Sequence, residues 1–218
     1  MAKKESTLKN MLVALLVITA VSGGVLGFIY ALTKDTIAEV DKKKNAAAIA
    51  EVLGTDENTQ LDTITCDGML YNLAYDAQGN FLGAAIKSAT NGFGGKIELM
   101  VGIMADGTIN KISVLSQSET PGLGANMTND KFKGQFNGKN PDSYKLSVKK
   151  DGGDVDAITA ATISSRAFSL AVQNACDNFK RNAGQFVNEV SDASTSSVSG
   201  ITENEEIIET TEGGTENE

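Results

Sequence analysis

The chain has 218 residues, 41% hydrophobic and 22% charged, enough for one sizeable domain with a core plus appendages. A formal charge of −9 and a pI near 4.6 exclude a clustered basic face, so no nucleic-acid partner is expected. Histidine is absent and Cys66 and Cys176 are the only cysteines, which excludes a zinc constellation, an iron–sulfur thiolate set and the commonest haem ligand.

Residues 1–10 carry Lys3, Lys4 and Lys9 and precede an uncharged, mostly apolar run at 11–32. That run is long enough to cross a hydrocarbon core as a helix. A cleaved secretory signal is the competing reading, but the run exceeds a usual signal core and no small-x-small site follows it. Lys34, Lys42, Lys43 and Lys44 on the far side offset the basic N-terminus, and the short N-terminal arm favours a cytoplasmic N-terminus. Within the run, Ser22, Gly23, Gly24 and Gly27 either admit a neighbouring membrane helix closely or are merely tolerated.

Residues 33–54 read as an amphipathic connecting helix with Ile37, Val40, Ala47, Ala48, Ile49, Val52 and Leu53 as its apolar positions and Gly54 as its stop. Four strands follow at Met69 to Tyr75, Phe81 to Ile86, Ile97 to Met104 and Ile109 to Leu115. The turns at 76–80 and 105–108 carry the Asp and Gly chemistry of hairpins. Thr128 to Phe136 predicts a short helix with Phe132 and Phe136 one turn apart, and Tyr144 to Val148 a further strand. A long helix from Ser164 to Arg181, apolar at Phe168, Leu170, Ala171, Ala175, Cys176 and Phe179, would cover one sheet face.

The fold class is therefore α+β: an antiparallel sheet packed with helices, preceded by one N-terminal transmembrane helix. The folded domain spans 55–187. Residues 188–218 read as an acidic disordered tail, because its Ser, Thr and Gly and the seven glutamates of its last sixteen residues (203, 205, 206, 209, 212, 216 and 218) bury too little apolar surface to fold. The two cysteines lie 110 positions apart, and spacing does not choose between a disulfide and two buried thiols.

Chemistry concentrates in three segments. Asp156 to Ser165 places Thr159, Thr162, Ser164 and Ser165 at a helix start, where free N–H groups and the positive dipole end favour a phosphate. Simple capping is the plainer reading of the same hydroxyls. The loop from Glu119 to Gly124 contains a Pro121-Gly122 pair suited to a type II turn. Gly92, Gly94 and Gly95 allow close backbone approach but do not form a dinucleotide fingerprint, since no Gly-x-Gly-x-x-Gly opens a helix here.

These segments resemble a known family. Asp156-x-x-Thr159-Ala160-Ala161-Thr162 resembles the Asp-x-x-(Ser/Thr)-Gly-Ala-Thr pattern at which a flavin transferase esterifies the phosphate of FMN to the last threonine. Ser118-Glu119-Thr120-Pro121-Gly122-Leu123-Gly124 resembles the same family's Glu-Thr-Pro-Gly-Leu-Gly loop, and Gly92-Phe93-Gly94-Gly95-Lys96-Ile97 leads into Val101-Gly102-Ile103. Their order and spacing are similar to the G subunit of the Rnf electron-transport complex, a relative of the C subunit of the sodium-translocating NADH:quinone reductase. The likeness runs from the membrane segment to about Arg181. The family more often has glycine where this chain has Ala160.

The resemblance implies FMN esterified to Thr162, with Asp156, Thr159, Ala161, Glu119, Thr120, Gly122 and Gly95 around it and no catalytic or metal-binding residue. Thr159, Ser164 and Ser165 remain rival hydroxyls on physical grounds, and Asp156 reads either as a recognition or as a capping residue. The implied partners are the other subunits of an Rnf-type membrane complex and the flavin transferase that modifies the chain. The implied function is an electron relay in a complex that couples ferredoxin:NAD electron transfer to Na+ or H+ translocation, with the domain on the extracytoplasmic side. The competing functions are a membrane-anchored scaffold module without cofactor and a stand-alone flavin reductase.

Overall fold

The computed structural model describes residues 8–56, 59–66 and 69–196. Helix α1, Leu8–Leu53, is one continuous rod of 46 residues, about 69 Å long at 1.5 Å per residue. The expected membrane span and connecting helix are two parts of it. Its N-terminal part is exposed and is long and apolar enough to cross a membrane. Ile37 and Val40, expected on a buried face, are also exposed, and burial begins only at Ala48 and Val52. Gly54 ends the helix in the left-handed conformation (φ 67°), its N–H donating to the Ala50 carbonyl at 2.9 Å.

Five antiparallel strands follow in a meander: β1 Gln60–Cys66, β2 Met69–Tyr75, β3 Phe81–Asn91, β4 Lys96–Met104 and β5 Ile109–Ser116, each paired with its sequence neighbour. The edge strand β1 is absent from the sequence expectation. Most of its side chains are exposed, so it lacks the apolar alternation that marks a half-buried strand. β3 runs five residues past the expected Ile86, because Ser88 and Thr90 stay in register with Leu99 and Ile97 of β4.

Both sheet faces are covered. Helix α3, Thr162–Ser196, packs Phe168, Ala171, Val172, Ala175 and Phe179 against the face bearing Tyr71, Leu73, Ile86, Leu99 and Val101. The end of α1 covers the other face, where Ala48 and Val52 meet Ala85, Met100 and Leu115. Gly102 makes this approach possible, since a Cβ there would lie 2.3 Å from the Val52 carbonyl oxygen. Asn110 Nδ2 donates to that carbonyl at 2.7 Å, and Lys44 donates to the Leu115 carbonyl.

Three expectations need correction. Tyr144 to Val148 is not a strand: it alternates buried Leu146 and Val148 with exposed neighbours, but forms only one isolated bridge, Val148 to Val155, after the chain turns at Gly152 and Gly153. Thr128 to Phe136 is not one helix but helix α2, Asp130–Lys133, between the 3-10 turns Gly124–Thr128 and Gly134–Phe136. The Phe132 and Phe136 rings still meet, edge to face, with centroids 5.9 Å apart. In α3, Leu170 is exposed, because the buried stripe passes through 168, 171, 172, 175 and 179.

α3 also continues past the expected Arg181. Phe186 is fully buried beneath Tyr71, with ring centroids 5.2 Å apart, and Asn182 Nδ2 donates to the Tyr71 hydroxyl oxygen at 2.8 Å. The helix reaches Ser196, and the remainder of the expected acidic tail lies outside the described residues. Cys66 and Cys176 are thiols, not a disulfide, and burial, with the nearby Asp177 charge, pushes the Cys176 thiol up to about 12.

Candidate functional site

The three glycine- and hydroxyl-bearing segments converge at the N-terminal end of α3. Glu119 joins them. Its carboxylate is buried, accepting from the Gly94 backbone N–H at 3.0 Å and from the Ser164 hydroxyl at 2.7 Å. The space it fills exists because two neighbours are glycine: a Cβ on Gly92 would lie 2.1 Å from Glu119 Oε1, and one on Gly124 would lie 2.5 Å from Oε2. A buried carboxylate needs such donors to offset its desolvation.

The four hydroxyls at the helix start now separate. Ser164 is committed to Glu119. Ser165 is fully buried, its hydroxyl donating to the Ala161 carbonyl at 2.9 Å and accepting from the Ile158 N–H at 2.9 Å. Thr159 is exposed, in the turn before the helix. Thr162 is the first helical residue and half-buried, and its Oγ faces the Lys150 ammonium at 3.4 Å.

Backbone strain sits two residues before Thr162. Ala160 has φ 59°, the only positive value among the described non-glycine residues. Left-handed backbone disfavours a Cβ, so this position is one that glycine would occupy with less strain than alanine. The strained turn brings the Ala161 N–H to the Ile158 carbonyl at 3.0 Å, and the Ala161 carbonyl starts the helix by accepting from the Ser165 N–H at 3.0 Å.

Two adjoining cavities open here. One of about 310 Å³ is lined by Thr162, Glu119, Thr120, Ala161, Gly124 and the exposed apolar side chains of Phe93, Leu123 and Ile163. The other, about 700 Å³, is lined by Gly122, Asp156, Thr159, Asn126, Gln135 and Phe132 among others, and shares Leu123 and Ala160 with the first. Gly122 (φ 77°) follows Pro121 in the turn that the Pro-Gly pair predicts, closed by the Leu123 N–H on the Thr120 carbonyl at 3.1 Å. Gly95 stands apart from both cavities and shapes the β3–β4 loop, its carbonyl accepting from the Gly92 N–H at 2.7 Å.

Asp156 does not cap α3. Its carboxylate pairs with Lys149 at 2.8 Å, and its backbone is bracketed by the Gln135 amide, which accepts from the Asp156 N–H at 2.8 Å and donates to its carbonyl at 3.1 Å. Sequence reasoning missed Lys150 and the Arg166–Asp151 pair beside it. Nothing in the spacing of 149–151 marks these residues until the fold brings them to the helix start.

The residues present fit a flavin held by its phosphate. An accessible hydroxyl opens a helix of 35 residues, whose first N–H groups lack intrahelical acceptors, and apolar side chains stand exposed around the same opening. The fold and this site define the class, an FMN-binding domain on a membrane-type helix, and residues 92–177 match the family model of the FMN-binding domain. The chain is 35% identical over 181 residues to the G subunit of the ion-translocating oxidoreductase complex of Methanosarcina acetivorans, covering 80% of this chain and 94% of that one. It belongs to the family of these G subunits. It is also 41% identical over 95 residues to the G subunit of the proton-translocating ferredoxin:NAD(+) oxidoreductase complex of Clostridium ljungdahlii, spanning 42% of this chain and half of that one. Among solved structures, Shewanella oneidensis NqrC is similar at 18% identity and a TM-score of 0.44, over 65% of this chain and 73% of that one.

Proposed function

We propose that this chain is an electron-relay component of a membrane complex that couples ferredoxin:NAD electron transfer to Na+ or H+ translocation, carrying FMN as a phosphoester on Thr162 Oγ. The observation that carries the attachment is the sorting of the hydroxyls. Ser164 and Ser165 are buried and bonded and Thr159 lies in the turn before the helix at the other cavity, whereas Thr162 is half-exposed on the first residue of α3, at the cavity shared with Glu119 and Thr120. Bound FMN would supply reversible acceptance of one or two electrons.

The chain's own residues hold and orient. The α3 N-terminus and its dipole favour the phosphate charge by about 0.3–1 kcal/mol, too little to retain a cofactor, which is what a covalent link makes unnecessary. Glu119 fixes the loop carrying Thr120 and Gly122 against the helix, and Phe93, Leu123 and Ile163 offer apolar surface to a ring. Asp156 and Thr159, on the far side of Ala160, fit recognition by the modifying flavin transferase, and buried Ala161 keeps bulk away from the hydroxyl. α1 anchors the chain, with the N-terminus cytoplasmic and the domain extracytoplasmic, and its Gly23, Gly24 and Gly27 present a small-residue surface to neighbouring subunits.

Co-expression of the full chain with a flavin transferase tests the attachment. Under ultraviolet light a denatured wild-type band should fluoresce, as should Thr159→Ala, while Thr162→Ala stays dark. Equal fluorescence in Thr162→Ala, or a dark wild-type band beside an active transferase, would remove the assignment.

A further inference from the structure

Three basic side chains stand around the first turn of α3, and two of them are spoken for. Lys149 pairs with Asp156 at 2.8 Å, and Arg166 makes a bidentate pair with Asp151, Nε to Oδ2 and a terminal nitrogen to Oδ1, both at 2.7 Å. Lys150 lies between them in the 3-10 turn Lys149–Asp151, with its ammonium 3.4 Å from Thr162 Oγ. The Asp151 carboxyl, held below its ordinary value first by Arg166, also feels the charge of Lys150, but both its oxygens are already engaged by the guanidinium.

The turn that carries Lys150 is clamped. Arg166 ties its end to α3, Lys149 ties its start to Asp156, and behind it Gly152 (φ 80°) turns the chain back. Gly153 then presses on Ser147, whose carbonyl oxygen would lie 1.9 Å from a Cβ at that position. Each flanking cation is neutralised by its own carboxylate. What remains is the Lys150 ammonium, which makes no ion pair with a carboxylate among the described residues and is presented by a braced turn to the hydroxyl of a helix's first residue.

A neutral threonine hydroxyl needs no cation. A phosphoester on that oxygen keeps one negative charge and does. We infer that Lys150 is the positioning residue for the phosphate of the cofactor, its ammonium compensating the charge placed at Thr162 beside the α3 N-terminus. The inference rests on Thr162 being the attachment point, and adds a side chain that the spacing of the threonine motif does not contain.

The test uses the full-length chain in detergent with a flavin transferase and its flavin donor, and reads FMN incorporation against time by intact mass. Lys150→Gln should load about tenfold more slowly than wild type, the effect of losing one charge-assisted hydrogen bond, and Lys150→Glu more slowly still. Lys150→Arg should restore loading to within about threefold, since it returns the charge. The unloaded variants should melt with the wild type, because Lys150 is exposed and supports no core contact. Wild-type loading rates in both Lys150→Gln and Lys150→Glu overturn the inference while leaving the attachment intact. A wild-type chain that gains no mass overturns the attachment reading itself.

Discussion

The carboxylate of Glu119 and the hydroxyl of Ser164, 45 positions apart in the chain, meet at 2.7 Å in the interior. The loop after β5 is thereby tied to the first turn of α3, and through the Gly94 N–H the same carboxylate also holds the β3–β4 loop. Glu119→Ala should leave the buried Ser164 hydroxyl and the part-buried Gly94 N–H without their acceptor and destabilise the domain by about 2–4 kcal/mol. Glu119→Gln, which still accepts one bond and donates another, should lose about 1 kcal/mol. Urea unfolding of the three proteins checks the order, and equal midpoints for Ala and Gln would contradict it.

Thr162→Ala should leave stability within about 0.5 kcal/mol of wild type. Thr162 is the first residue of the helix, not the residue before it, and its hydroxyl meets Lys150, not a backbone N–H. A capping hydroxyl would instead lose about 0.5–2 kcal/mol on removal. Thermal unfolding of the unloaded chain separates the two, and a large loss would make the hydroxyl structural.

Much of this arrangement was legible before the fold. β2, β4 and β5 are readable because short apolar runs flank turns with Asp and Gly, and the three site segments stand out by their hydroxyls and glycines. The contacts between them were not readable. Glu119 reaches Ser164 only when α3 crosses the sheet, and Lys150 reaches Thr162 only when Gly152 and Gly153 reverse the chain. β1 was hidden for the opposite reason, since an edge strand with exposed Leu61, Asp62 and Thr63 resembles a loop.

Ala160→Gly should be close to neutral in stability and leave loading intact. It relieves a left-handed alanine, whose strain is about 1 kcal/mol, but adds a comparable backbone entropy loss on folding. Ala160→Val should destabilise by more than about 1 kcal/mol, since a β-branched side chain fits φ 59° poorly. Calorimetry on both variants, with FMN incorporation read by mass, checks the pair. A valine as stable as the alanine would mean that the turn rearranges freely.

The Cys176 thiol, raised by burial from 9.0 to about 12, should resist alkylation in the folded chain at pH 8–9 and react on unfolding. The sign for stability follows from the neutral form being the buried one. The contribution is fully present below the unfolded value of 9.0 and is lost as pH rises toward about 12. Cys176→Ala should therefore flatten the alkaline limb of the stability curve, even though it leaves a small cavity. Denaturant midpoints between pH 8 and 11 supply the measurement, and parallel curves for the two proteins would count against the buried thiol as the cause.

The junction between anchor and flavin domain makes the last prediction. α1 does not hand over to a flexible linker: its final turns lie on the sheet, with the Val52 carbonyl pressed to Gly102 and held by Asn110. Gly102→Val would place a side chain where the Val52 backbone now runs, and backbone cannot yield as a flexible side chain can. The end of α1 should detach while α3 keeps its own face of the sheet, because the two faces hold separate apolar clusters. Hydrogen exchange at 44–53 should rise by at least about tenfold while amides of α3 at 168–179 stay protected, the pattern of a local opening. Asn110→Ala should give a weaker version of the same effect. If Gly102→Val instead raises exchange evenly across both faces, the anchor's seat and the domain core form one cooperative unit, and α1 is then part of what folds the flavin site.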